Sequence, residues 1–291
     1  MKMIYRFLLA GWLAVAYTPV FAGKAEVIHV KGSDTMIVVA QVWAEAYERV
    51  NERVTVSVGG GGSGTGLDAL LQGTVEIANA SRRMGSHELR RAARLGLTPV
   101  EYVVGYDAVA LFLNKLNPLK SLSLAQLQEI FGEGGEIKKW TDVGVKVPKC
   151  SGQEIVRVGR QNNSGTYVYF RNTVLGRGQD YDFGIMDMLS SKDVVHLVEK
   201  TPCAVGYSGL AYATPKVKML CIENTASEPC VHPSVSSAVD GSYPIARPLF
   251  MYTLSEPRGV IKEYIDWVMS DEGQCIIQKK GYAPLRSIEC K

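Results

Sequence analysis

Val54-Thr-Val-Ser-Val-Gly-Gly-Gly-Gly-Ser-Gly-Thr-Gly-Leu-Asp-Ala-Leu-Leu-Gln-Gly73 decides how the rest of the chain is read. A β-branched run from Val54 to Val58 ends in four glycines. Ser63-Gly64-Thr65-Gly66 follows, and then Leu67, Leu70 and Leu71 recur with helical spacing. A strand, a glycine loop and a helix start in that order leave unpaired backbone N–H groups at the positive end of a helix, which suits an anion. Without a Cβ at Gly59 to Gly62 and at Gly64, a ligand can come close to the backbone. The same loop also serves as a plain tight connection with no ligand. What favours the anion is that the design occurs twice more.

The first further unit is the alternating strand Glu26 to Lys31, which runs into Gly32-Ser33-Asp34-Thr35-Met36. From Met36 to Val50 the apolar residues Val39, Val42, Trp43, Ala46, Tyr47 and Val50 line one helix face, and Ser33, Asp34 and Thr35 are all good capping types. The second is the strand Ile155 to Gly159, followed by Arg160-Gln-Asn-Asn-Ser164-Gly165-Thr166 and a helix with Tyr167, Phe170 and Val174 facing inward. Between them, Val75 to Arg83 reads as a short buried strand ending in Ser81 and Arg82. Tyr102 to Asn114 reads as an apolar strand, interrupted at Tyr106-Asp107 and long enough to cross between domains. The segment from Asn224 to Gly241 reads as loop-rich. Tyr243 to Tyr252 returns as a strand, and two helices, Gly259 to Ser270 and Asp271 to Lys280, follow. Strands alternating with helices indicate an α/β architecture.

The start of the 291-residue chain has the pattern of a secretory signal: Lys2 and Arg6, an apolar run from Phe7 to Tyr17, and Val20-Phe21-Ala22 before a cut after Ala22. The apolar run is too short for a membrane anchor, so the mature chain is expected to be soluble and exported. A formal net charge of +3 gives no bulk reason to bind nucleic acid or an acidic membrane. All six cysteines lie in the second half and, after export, can form disulfides. The short-range pairs Cys221 with Cys230 and Cys275 with Cys290 would leave Cys150 for Cys203, one of about fifteen pairings.

Three hydroxyl-bearing turns before helices, together with Arg160 and Arg82, could surround a small tetrahedral oxyanion. Each donor to an ionised group contributes roughly 1.5–3 kcal/mol, so a handful reaches the ~8 kcal/mol of micromolar binding. Enzyme readings fit less well. Gly59-x-Gly61-x-x-Gly64 matches the dinucleotide fingerprint formally, but Glu76 opens the next strand where an acidic residue should close it. No Lys follows Gly64 as a phosphate loop of NTPases requires. Ser63 and Ser208 miss the nucleophile elbow because Thr65 and Leu210 take its last position. The histidines His29, His87, His196 and His232 are scattered, without metal-ligand spacing. Trp140 reads as core, and Arg90, Arg91 and Arg94 as a solvated helix face.

Gly32-Ser-Asp-Thr-Met36, Gly60-Gly-Gly-Ser-Gly-Thr-Gly66, Ile77-Ala-Asn-Ala-Ser-Arg82, Asn163-Ser-Gly-Thr-Tyr167 and Gly281-Tyr-Ala-Pro-Leu285, in that order, resemble the phosphate-binding proteins of bacterial ABC phosphate importers. The resemblance implies an α/β, two-lobed periplasmic binding protein fold of class II with two hinge strands, near Val103 to Leu111 and Tyr243 to Phe250. Lobe 1 would hold residues 23–105 and 246–291, and lobe 2 residues 106–245. It further implies a periplasmic monomer without cofactor or metal, which binds inorganic phosphate and hands it to an ABC-type membrane permease. Carried over by position, phosphate contacts fall on Thr35, Met36, Ser63, Arg160, Ser164, Gly165 and Thr166, with Ser81 and Arg82 in a binding loop of lobe 1. Members of the family often have aspartates where this chain has Arg82 and Asn162. The first accepts a proton from the ligand and the second pairs with the binding arginine. The acceptor's task could therefore fall to Asp34 or Asp107, although Asp34 reads equally well as a helix cap. Other tetrahedral oxyanions (sulfate, tungstate, molybdate) and an exported phosphatase on the same fold are the competing readings.

Overall fold

The computed structural model describes residues 26–225 and 228–290. The expected leader, residues 1–22, lies outside the described residues. In chain order the elements are β1 (Glu26–Gly32), α1 (Ile37–Val50), β2 (Val54–Gly59), α2 (Ser63–Leu71), β3 (Ile77–Ala80), α3 (Ser86–Arg94) and β4 (Val100–Asn114). Next come β5 (Ser121–Ser123), α4 (Leu124–Phe131), β6 (Val156–Arg160), α5 (Gly165–Phe170), β7 (Met186–Met188), α6 (Ser191–Lys200) and β8 (Ala204–Gly209). The chain ends with β9 (Val217–Met219), β10 (Cys221–Glu223), α7 (Val235–Val239), β11 (Ala246–Thr253), α8 (Gly259–Met269) and α9 (Asp271–Lys279). The stretch read as loop-rich thus carries a short helix, α7, capped by Ser234.

One sheet runs β2-β1-β3-β11-β4-β8-β6-β7, with β9 beside the end of β4. β2, β1 and β3 are parallel, Lys31 lying opposite Gly59 and Gly32 opposite Asn79. Their carboxyl ends therefore finish along one edge, where the loops that bind ligands in such sheets gather. β6 is parallel to β7 and β8 in the other half and likewise ends in its loop, at Arg160. The glycine loop follows the expected course: Val54 and Val56 point inward from β2, and α2 buries Leu67, Leu70 and Leu71.

β4 belongs to both halves of the sheet. It pairs antiparallel with β11 from Val100 to Ala108 and with β8 from Val109 to Leu113. The strand runs on through Tyr106-Asp107, where its apolar pattern is interrupted. The Tyr106 N–H donates to the Ala283 carbonyl at 2.8 Å, and Asp107 stays in the ladder opposite Arg247. A guanidinium across the strand pair compensates the buried carboxylate, so the strand has no need to open to water.

Both faces of each half are covered. In the first half Trp43, Tyr264 and Ile277 pack on one side, and Leu70, Ala92 and Phe250 on the other. In the second half Phe131, Trp140 and Phe170 face Val194, Val198 and Phe112 across the sheet. Each such side chain contributes roughly 1.5–3 kcal/mol on burial. Trp140 is core, as read, and its indole N–H donates to the Cys203 carbonyl at 2.9 Å. The disulfides are Cys150–Cys203, Cys221–Cys230 and Cys275–Cys290, the pairing set out above. Among the described residues no helix is long and apolar enough to cross a membrane.

Candidate functional site

Ser33, Asp34 and Thr35 have capping side chains, yet none of them caps α1. The cap position is Met36, without a side-chain cap bond. The Met36 N–H donates to the Ser33 carbonyl at 3.0 Å, which closes a turn and leaves the polar side chains free to point elsewhere. The hydroxyl of Tyr212 donates to the Asp34 carbonyl and that of Tyr282 to the Thr35 carbonyl. Burial pushes both phenols well above their ordinary pKa, so they remain donors.

The side chains of this turn meet hydroxyls from three other loops. The Ser33 hydroxyl donates to Ser81 Oγ at 2.9 Å, Ser81 Oγ lies 3.3 Å from Ser63 Oγ, and the Ser81 N–H donates to Ser63 Oγ at 3.1 Å. Thr35 Oγ1 sits 2.9 Å from Thr166 Oγ1, on the opposite half of the molecule. Gly165 closes the gap. A Cβ there would stand 2.3 Å from Ser63 Oγ and 2.5 Å from Ser81 Oγ, so only glycine lets α5 begin against these hydroxyls. Ser164 caps α5, accepting from the Thr166 N–H at 3.1 Å.

Arg247 lies at the centre of this ring, and the sequence reading passed over it. Its Nη2 donates to Thr166 Oγ1 at 3.0 Å, Thr35 Oγ1 at 3.2 Å and Asp107 Oδ2 at 2.8 Å. Nε reaches the same carboxylate oxygen at 3.2 Å, and Nη1 the Ser81 carbonyl at 3.1 Å. Both partners of the pair are 1% exposed. Asp107 Oδ1 is buried without a hydrogen-bond partner among the described residues. Burial holds the Asp107 carboxyl above the ordinary range, with Arg247 and the Leu210 backbone N–H pulling the other way. The available signal is an arginine in β11 and an aspartate in β4, each a charge with uncharged neighbours on both sides. Two such residues are stable only opposite each other.

Arg160 is spent on protein partners. It donates to Asp34 Oδ2 at 2.7 Å, Ser191 Oγ at 2.9 Å, the Leu189 carbonyl at 2.9 Å and the Met188 carbonyl at 3.2 Å. The other Asp34 oxygen accepts from the Gly61 N–H at 2.8 Å, so Asp34 joins the two halves instead of capping a helix. Asn162, at the position where relatives of the resembled family often pair an aspartate with this arginine, is exposed. Burial lowers the pKa of Arg160, and Asp34 opposes that shift without cancelling it. Beside this pair, the Gly64 N–H donates to the Asn163 carbonyl at 2.9 Å and Asn163 Nδ2 donates to the Gly61 carbonyl at 3.0 Å. What comes close to the bare glycine backbone is thus the facing loop: a Cβ on Gly62 would lie 2.8 Å from Asn163 O.

The structure brings Thr35, Ser63, Ser81, Gly165, Thr166 and Asp107 to one place, with Asp34, Arg160 and Ser164 bracing it. Met36 supplies backbone to the turn and buries its side chain in the core. Arg82 turns away, its guanidinium held by Glu88 through bonds of 2.6 and 2.8 Å. Among the described residues no group of three His, Cys, Asp or Glu side chains could hold a metal ion. The assembled chemistry is that of an oxyanion receptor: hydroxyls and amides as donors, one central guanidinium, and one carboxylate oxygen able to accept.

A family model described as a PBP superfamily domain matches residues 19–272. The phosphate-binding protein PstS of Pseudomonas aeruginosa is 31% identical over 265 residues, covering 87% of this chain and 81% of that protein. The Bacillus subtilis phosphate-binding protein PstS is 28% identical over 305 residues, covering 99% and 95%. A Clostridium perfringens protein solved with bound phosphate superposes with a TM-score of 0.79 at 25% identity, over 90% of this chain and 100% of that one. An ABC-type phosphate transport receptor from Vibrio cholerae gives a TM-score of 0.70, also at 25% identity, over 88% and 99%.

Proposed function

We propose, because this chain belongs to the PBP superfamily and within it to the phosphate-binding proteins of bacterial ABC phosphate importers, that it captures inorganic phosphate between its two halves and delivers it to an ABC importer. The observation that carries this is the convergence of Thr35, Ser63 and Ser81 from one half with Gly165 and Thr166 from the other around buried Arg247. Ligand contacts from both halves are what couple binding to closure, since a ligand held equally in open and closed states shifts nothing. Lobe 1 comprises residues 23–105 and 246–291 and lobe 2 residues 106–245, hinged on β4 and β11. The chain works outside the cytoplasm as a binding protein without turnover, after removal of residues 1–22.

Phosphate near neutral pH carries a proton and sulfate does not, so selectivity needs an acceptor. Of the two candidates, Asp34 has both oxygens engaged, by Gly61 and Arg160, while Asp107 keeps Oδ1 free. Asp107 takes the ligand's proton, and Asp34 holds Arg160 across the halves. Thr35, Ser63, Ser81, Ser164, Gly165 and Thr166 form the donor set, joined by Arg247, while the Met36 N–H is used to close the turn that holds Thr35. Equilibrium dialysis with radiolabelled phosphate, in parallel with incubation on p-nitrophenyl phosphate, tests the reading. Stoichiometric capture without turnover is expected, whereas sustained hydrolysis would replace it with an enzyme.

A further inference from the structure

A cavity of about 750 Å³ borders the site, lined by Arg82, Arg83, Arg177 and Arg247, with Tyr169 and Phe250 among its apolar walls and no carboxylate in its lining. Arg247 is the partition: its guanidinium bonds into the hydroxyl ring, and the same side chain forms the cavity's inner wall. The other three arginines are unequally engaged. Arg82 is bound to Glu88, but its Nε is buried with no partner among the described residues. Arg83 approaches Glu101 at 3.3 Å with its side chain 71% exposed. Arg177, on the exposed loop after α5, has neither an ion-pair nor a hydrogen-bond partner among the described residues.

Resting on the phosphate reading above, we infer that this cavity is an outer oxyanion site through which inorganic phosphate passes on its way to the buried ring. Arg177 and Arg83 draw the ion in, and Arg247 connects the outer site to the inner one. Arg82, Arg83 and Arg247 each have a carboxylate partner behind the wall, so the uncompensated charge is that of Arg177 at the mouth. A charge placed at a cleft mouth raises association rates by about tenfold or more and makes them sensitive to salt. The planar guanidinium suits a phosphoryl oxyanion better than an ammonium does. The cavity is also far larger than the ion, which leaves room for it to arrive hydrated and shed water before reaching the ring.

Rapid mixing of the full chain with inorganic phosphate tests this, using Arg177→Glu, Arg177→Lys and, as a control of equal charge change, Arg53→Glu. Arg53 is exposed beside the opposite end of β2 and lines a different surface. The expected result is an association rate about tenfold lower for Arg177→Glu at low ionic strength, with the deficit shrinking as salt is added. Dissociation should stay within about twofold of the parent, Arg177→Lys should recover most of the rate, and Arg53→Glu should stay near the parent. Equal slowing by Arg177→Glu and Arg53→Glu, or no slowing by either, overturns the outer site while leaving the phosphate reading intact. A parent chain that takes no phosphate at all overturns both.

Discussion

Replacing Arg247 by methionine tests the centre of the site most severely. The substitution keeps much of the side-chain length and removes every donor: two bonds to Asp107, one to the Ser81 carbonyl, and one each to Thr35 and Thr166. Asp107 is then a lone carboxylate in a site that is 1% exposed. Breaking a buried pair in this way costs about 3–5 kcal/mol. The Ser81 carbonyl adds roughly 1 kcal/mol, because unlike the hydroxyls it cannot turn to another partner. The sum is a large share of the roughly 5–15 kcal/mol that holds a domain together.

The loss should depend on pH with a definite sign. Burial already raises the Asp107 carboxyl, and Arg247 is the main influence opposing it. Without Arg247 the folded-state pKa climbs further above the unfolded value. The part of the destabilisation that comes from the unpaired carboxylate is therefore absent while the carboxyl is protonated in both states, and grows as pH rises toward the folded pKa. Urea unfolding followed by circular dichroism should show a smaller deficit at about pH 5 than at about pH 8. Arg247→Met/Asp107→Leu removes both charges and should return to within about 2 kcal/mol of the parent while still failing to bind phosphate. A single variant that loses under about 1 kcal/mol at the higher pH, or a double variant that binds phosphate normally, refutes the reasoning.

Asp107→Asn should lower the phosphate-to-sulfate affinity ratio about tenfold or more, whereas Asp34→Asn should weaken both anions alike by weakening the bridge to Arg160; calorimetric titration that finds the ratio unchanged in both removes the acceptor assignment. Removing Cys150–Cys203, which closes 53 residues, should cost about 4 kcal/mol, against about 2.5 for Cys221–Cys230, which closes 9, as judged from denaturant midpoints of the paired alanine variants. Equal losses from the two would tell against loop entropy as the source. The bonds from Lys138 and Arg157 hold the Asp182 carboxyl down at about 2. Asp182→Asn should therefore lose about 1–2 kcal/mol at neutral pH, and the difference from the parent should fade as pH falls from the ordinary carboxylate value of about 4 through 2. A difference that stays constant across that range would contradict the assignment.

The local units were legible because each rests on signals that lie close together in the chain. The glycine run after Val58, the periodicity of Val39, Trp43 and Tyr47, and the hydroxyls of Ser63 and Ser164 all act within a few residues. What joins the units was harder to read. Asp107 and Arg247 are 140 residues apart, so Asp107 reads as a candidate acceptor without its buried counterion and Arg247 goes unremarked. Asp34 reads as a helix cap because capping is a local property, while its actual partner, Arg160, is 126 residues away on the facing half. Arg82 was drawn toward the ligand by its place beside Ser81, but Glu88, six residues on, holds its guanidinium. Buried charge pairs across a sheet are decided by register, which one sequence does not display.

The most direct measurement is a competition titration of phosphate against sulfate across the pH range in which phosphate sheds its second proton. A ring of neutral donors and one guanidinium, closed by a carboxylate that must accept a proton, predicts that phosphate displaces sulfate at every pH in that range. Sulfate binding as tightly as phosphate would contradict it.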